Sequence, residues 1–251
     1  VPLLRAVALL AALWLALAGV CRADDAKRVI MFIPDTDWPP YVMSDPAHPH
    51  GGVLQAVFRA VAEPMGYEVD VRRLPNQRGW MLLDSGEVHV HAKAREWVKN
   101  PDAYLWTDPF MPSETVFLYH EDSDIVTAQA ADLYGRSVAA IKGFIYPELE
   151  AHFGPGRIER VDVASPFTML ELLALGRVDA ALVNGAETRW LMRTDWRLKG
   201  FRLDPRPCGH ADYRFVFTRD DAWKPFIAEF NARLARMKKD GSLDAILDSY
   251  R

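Results

Sequence analysis

Between residues 29 and 94 the chain alternates short apolar runs with segments of helical period, and the connections are too long for hairpins. Residues 29–34 are strand-like and end in the turn-rich Asp35-Thr36-Asp37-Trp38-Pro39-Pro40. Val53, Leu54, Val57, Phe58 and Val61 recur at helical spacing, and Gly66 closes that helix. Tyr67, Val69 and Val71 alternate with charged residues as a half-exposed strand does. A helix over 76–85 ends at Gly86, and Val88, Val90 and Ala92 open a third strand. A β-α-β-α-β order with crossovers of this length requires a parallel sheet.

The rhythm repeats further on. Strands are expected at 137–141, 158–163, 178–183 and 201–203, with helices at 146–153, 166–175 and 185–192. A further strand at 213–218 leads into a helix with one apolar stripe, Phe226, Ile227, Phe230, Leu234 and Met237. Asp240-Gly241-Ser242 then separates it from a last helix. Two α/β lobes are the economical expectation, with ligands at the carboxyl ends of their strands.

Residues 1–23 stand apart from this pattern. Arg5 is followed by an apolar run over 6–20, and Cys21-Arg22-Ala23 offers a small-x-small cleavage pattern. This is a cleavable secretory signal in length and order, which places the mature chain in the periplasm. Cys21 also sits in a lipoprotein-like box, but Val20 is too large for the position before it, so ordinary cleavage is the expectation. Cleavage leaves Cys208 alone, without an internal disulfide, and the fold must rest on its core. Losing Arg5 and Arg22 moves the formal charge from -4 to about -6. With no basic tail or helix, nucleic acid is not an expected partner. No cofactor motif is present, and a monomer is expected.

Seven stretches, taken in order, resemble the bacterial extracellular solute-binding proteins of family 3, the amino-acid-binding group served by ABC importers. They are "DWPPYV" (37–42), "HGGVLQAVFRAVAEPMGYEV" (50–69), "LLDSGEVHV" (82–90), "WTDPF" (106–110), "DLYGRSVAAIKG" (132–143), "LLALGRVDAALV" (172–183) and "FNARLARMKKDGSLDAIL" (230–247). The resemblance implies a type II periplasmic-binding-protein fold, in which each lobe is a mixed, mostly parallel sheet flanked by helices. Lobe 1 would comprise 24–121 and 212–251, and lobe 2 would comprise 122–211, joined by hinge strands near His120 and Asp212. It also implies closure on a small ligand and ABC-transporter membrane subunits as partners.

Two departures bear on the ligand. Amino-acid binders of this family carry Thr-x-x-Arg after the third strand, whose arginine grips the α-carboxylate. Here the region reads Glu96-Trp97-Val98-Lys99-Asn100. The family aspartate that holds the α-ammonium falls on Asn184. Both charged grips are absent or neutral, so the expected ligand is small and polar or anionic, and not a standard α-amino acid.

The candidate ligand-binding residues are Trp38 and Tyr41 as aromatic platforms, Lys93 and Arg95 with Arg78 as cations, and Trp97 as cleft wall. Gly143 and Phe144 are expected at a strand-to-helix turn whose N–H groups face an anion, and Asn184 at another strand end. Glu187 and Arg189 read as ordinary surface charges. A metal held by His89 and His91, with His48 and His50 as a second pair, is the competing reading; neutral histidines satisfied by hydrogen bonds are commoner, and no Cys or Asp completes a ligand spacing. Enzyme signatures are missing: no Gly-x-Ser-x-Gly, phosphate loop or His-Glu-x-x-His. The family includes a periplasmic cyclohexadienyl dehydratase, so a lyase using Glu96 or His91 as base is one alternative. A ligand sensor working through a membrane receptor is another.

Overall fold

The computed structural model describes residues 27–250; the expected signal segment and Cys21 lie outside them. Strand β1 (Lys27–Pro34) runs parallel to β2 (Tyr67–Leu74) in unbroken register, joined through helix α1 (Val53–Ala62). The helix lays its apolar stripe, Val53, Leu54, Val57, Phe58 and Val61, against Val29, Met31 and Ile33 of β1. The other face of the sheet is closed by α2 (Asn76–Ser85), whose Leu83 packs with Phe32, Val88 and Val216. Burial on both faces explains why β1 reads as a continuous apolar run. Gly52 precedes α1 because a Cβ there would come within 2.1 Å of the Tyr41 carbonyl oxygen. That contact presses the start of α1 onto the turn carrying Trp38 and Tyr41.

Strand β3 (Val90–Ala94) continues the parallel set beside β1 and pairs antiparallel with the long β9 (Phe201–Phe217), which also takes the short β4 (Leu105–Trp106). β5 (Met111–His120) runs antiparallel to both β9 and β8 (Ala180–Asn184). β6 (Ser137–Ile141) lies parallel between β7 (Glu159–Val163) and β8, giving the order β2-β1-β3-β9-β5-β8-β6-β7. Helices α3 (Pro166–Ala174) and α4 (Gly185–Thr194) follow β7 and β8. Helices α5 (Lys224–Asp240) and α6 (Ser242–Asp248) return to the first strands, with left-handed Gly241 between them. Tyr250 then donates to the Gly51 carbonyl at 2.9 Å.

The core falls into two groups. One gathers residues of β1–β3, α1, α2, α5 and α6; the other gathers residues of β5–β8, α3 and the start of β9. The chain crosses between them where the β5–β9 register shifts, at Thr115/Val116 and Val116/Leu118. Phe117, Leu118 and Tyr119 of β5 pack in the second group, and residues 115–118 pair with β8.

Two expectations are corrected. The strands expected at 201–203 and 213–218 are one, β9. Pro205, Pro207 and Gly209 lie between the two expected strands, and register shifts against β5 accommodate residues that cannot join a regular ladder. The helix expected at 146–153 is only a 3₁₀ turn, Glu150–His152. The segment buries Tyr146 and Leu149, an i,i+3 pair that one tight turn satisfies.

Candidate functional site

The segments that follow β1, β3, β6 and β8 meet at the crossing between the two core groups, at the carboxyl ends of parallel strands. After β1, Trp38 and Val42 exchange backbone hydrogen bonds of 2.8 and 2.9 Å. This turn, which contains a cis Pro39–Pro40 bond, sets the Trp38 ring 4.3 Å from that of Tyr41. Tyr41 is fully buried and donates its hydroxyl to Asn184 Oδ1 at 3.0 Å. Burial pushes its phenol up to about 12, against the lowering effect of that bond.

Asn184 is the N-cap of α4. Its Oδ1 also accepts from the Glu187 N–H at 3.0 Å, and its Nδ2 donates to Ser113 Oγ at 3.1 Å. The residue standing at the place of the family aspartate is therefore a bracket holding α4, β5 and the Trp38–Tyr41 turn together. Three of its hydrogen-bonding positions are occupied within the protein.

The cations expected after β3 are dispersed. Lys93 is half-buried, and its Nζ lies 5.5 Å from the Trp97 ring centre. Burial lowers its pKa, and it has no carboxylate partner among the described residues. Arg95 is paired with Asp102 and sits 5.9 Å from the Trp106 ring. Arg78 is exposed on α2. Trp97 meets Tyr213 edge-on at 5.4 Å.

The histidines have separate tasks. His91 stacks on Phe32 at 3.9 Å, meets the Trp80 ring edge-on, and bonds the Phe32 carbonyl through Nδ1 at 3.0 Å. Burial drives its pKa down to about 3, so it is a neutral core residue. His89 accepts the Ile30 N–H at 3.0 Å and packs beside Trp223. His48 packs beside Trp190 and Tyr250, and His50 is exposed.

After β6, Gly143 adopts φ +80° and Phe144 and Ile145 are exposed. No helix begins there, so the anion-facing N–H groups expected of a helix start are missing; Arg160 instead holds the turn by donating to the Phe144 carbonyl at 2.8 Å. Glu148 reaches back to accept the His210 N–H at 3.0 Å. A narrow cleft of about 20 Å³ lies between this segment and Glu96–Trp97, floored by Thr115 and the β9 residues from Cys208 to Ala211. Gly209 leaves the floor open to Glu148, whose Oε2 would be 3.1 Å from a Cβ there. The Cys208 thiol points at the Thr115 carbonyl, and burial pushes it up to about 12, which leaves it protonated and unreactive.

Two residues at this junction escape the sequence reading. Arg189 is indeed exposed and paired with Glu114 at 2.9 Å. Glu187 is half-buried, and burial raises its pKa against the opposing hydrogen bond from the Trp38 indole. The Asn184-x-x-Glu187 spacing of an N-cap and its third residue was the available signal, since it turns the glutamate back toward the strand end. Tyr213 is 1% exposed, and its hydroxyl has no hydrogen-bond partner among the described residues; within a strand of alternating residues nothing marks it.

The family described as bacterial extracellular solute-binding proteins, family 3, matches residues 30–251. A probable amino-acid-binding protein, YxeM of Bacillus subtilis (strain 168), is 23% identical over 198 residues, covering 77% of this chain and 73% of that protein. A histidine kinase sensor domain with similarity to periplasmic binding proteins superposes with a TM-score of 0.70 at 28% identity, over 90% of this chain and 97% of that one. The second substrate-binding domain of a putative amino acid ABC transporter from Streptococcus pneumoniae gives 0.69 at 18% identity, over 89% and 99%. The curled mixed sheet with its helices is thus the type II periplasmic-binding-protein fold.

Proposed function

The chain belongs to the bacterial extracellular solute-binding proteins, family 3, and on that premise we propose that it is a periplasmic binding protein, acting as a monomer without catalysis. Two lobes, dividing near Thr115 on β5 and Gly209 on β9, close on a small polar ligand that is not a standard α-amino acid. The complex delivers the ligand to the membrane subunits of an ABC importer. Asn184 carries this reading: its amide is spent on Tyr41, Ser113 and the α4 N-terminus. The placement of the expected cations supports a polar rather than an anionic ligand, because Arg95 is committed to Asp102 and Lys93 lies against Trp97.

The likeness to a histidine kinase sensor domain favours a second reading, in which occupancy is reported to a membrane receptor instead. A permease gene beside this one supports import, and a sensor kinase gene supports the second reading. A thermal-shift screen against amino acids, carboxylates and amines tests the ligand class. A ligand at one hundred times its Kd adds about 2.7 kcal/mol of stability. Strong stabilisation by ordinary L-amino acids would sink the exclusion of that class, and turnover of a bound compound would sink the pure-binding reading.

A further inference from the structure

The buried Tyr213 hydroxyl lacks a partner among the described residues, and a native orphan of this kind calls for an explanation. Around it stand the rings of Tyr41 at 5.2 Å, Trp97 at 5.4 Å and Trp38 at 6.4 Å. Tyr41 cannot satisfy it by donating, since its own hydroxyl is given to Asn184. Glu187 stands in the first turn of α4, its N–H on the same Asn184 Oδ1 that takes the Tyr41 hydroxyl. After burial and Tyr41, its charge is the next influence raising the Tyr213 phenol, and it raises that of Tyr41 as well. The nearby Arg189 is engaged by Glu114, so Glu187 has no ion-pair partner among the described residues.

We propose that Glu187 and Tyr213 receive the ammonium group of the ligand, which is an organic amine cation held among the Trp38, Tyr41 and Trp97 rings. This rests on the binding reading above and names the ligand class. An ammonium donates to both the carboxylate and the phenolic oxygen, and aromatic faces attract it. An anion at the Tyr213 hydroxyl would instead meet the Glu187 charge. Glu96 and Glu148 line the adjoining cleft without an ion pair among the described residues, and Lys93 lies over the Trp97 ring. The rings touch one another here, so entry requires the contacts of α4 with the Trp38–Tyr41 turn to part as the lobes open.

Calorimetry and thermal shift with propylamine, 1,4-diaminobutane and tetramethylammonium, against glutarate and L-glutamine, test the proposal. At least one amine should bind while glutarate and L-glutamine do not. Tyr213→Phe should leave the unliganded Tm equal or higher, since it removes an unsatisfied hydroxyl, yet weaken the amine about fivefold; Glu187→Gln should weaken it about tenfold or more. A merely structural Tyr213 would not separate these two readouts. Binding of glutarate or L-glutamine without any amine overturns the amine assignment while leaving solute binding intact. Amine binding unchanged in both variants overturns the residue assignment. No shift with any of the five overturns the proposal and counts against the binding reading too.

Discussion

His91 shows how tertiary contacts settle a residue that local spacing leaves open. His89-x-His91 on a strand suits paired metal ligands, yet His89 precedes β3 and caps the Ile30 N–H, while His91 is stacked on Phe32. The His91 imidazole titrates near 3 when folded and near 6.5 when unfolded. Protonation therefore favours the unfolded chain: the stability is whole above pH 6.5 and is lost as pH falls from there toward 3. About 2 kcal/mol should be gone by pH 5. His89, also lowered chiefly by burial, acts in the same direction. Urea denaturation between pH 8 and pH 5 should show this loss, and His91→Leu should be less stable at pH 8 but flatter across the range. An unchanged slope in His91→Leu would refute the assignment.

Helix α4 and strand β9 carry the parts of the site that periodicity could not order. The 185–192 helix and the strand before it were legible from apolar spacing, a local signal, although Asn184 was read as a ligand-binding residue and not as the cap it is. That Asn184 also holds Tyr41, 143 residues earlier, and Ser113, 71 residues earlier, was not. Asn184→Ala removes the cap and leaves the Tyr41 hydroxyl unpaired in the interior. Its cost should be about 2–4 kcal/mol by urea denaturation. Asn184→Asp retains a capping oxygen and should cost less, so equal losses in the two variants would argue against the bracket. In β9, proline removes ladder donors between Pro205 and Gly209, and the shifted pairing with β5 absorbs the loss, which no local signal announces.

Across the molecule, two core groups joined by β5 and β9 predict motion about the register shifts at Thr115–Leu118. A bound ligand should lower the radius of gyration in solution scattering; an unchanged value on saturation would count against lobe closure. The β-α-β-α-β order of residues 29–94, its parallel crossovers and the family resemblance were legible from amphipathic period, turn residues and motif order, all of which act over a few residues, whereas β4 and β5 were not read and β9 was read as two strands. Tertiary structure alone decided which charges remain free. Arg95 is taken by Asp102 and Arg189 by Glu114, while Glu187 takes the Trp38 indole hydrogen bond without an ion pair, and the Tyr213 hydroxyl has no partner, among the described residues. The reason is physical: a charge's role depends on the partner that reaches it and the water excluded around it, and both are set by segments far apart in the chain.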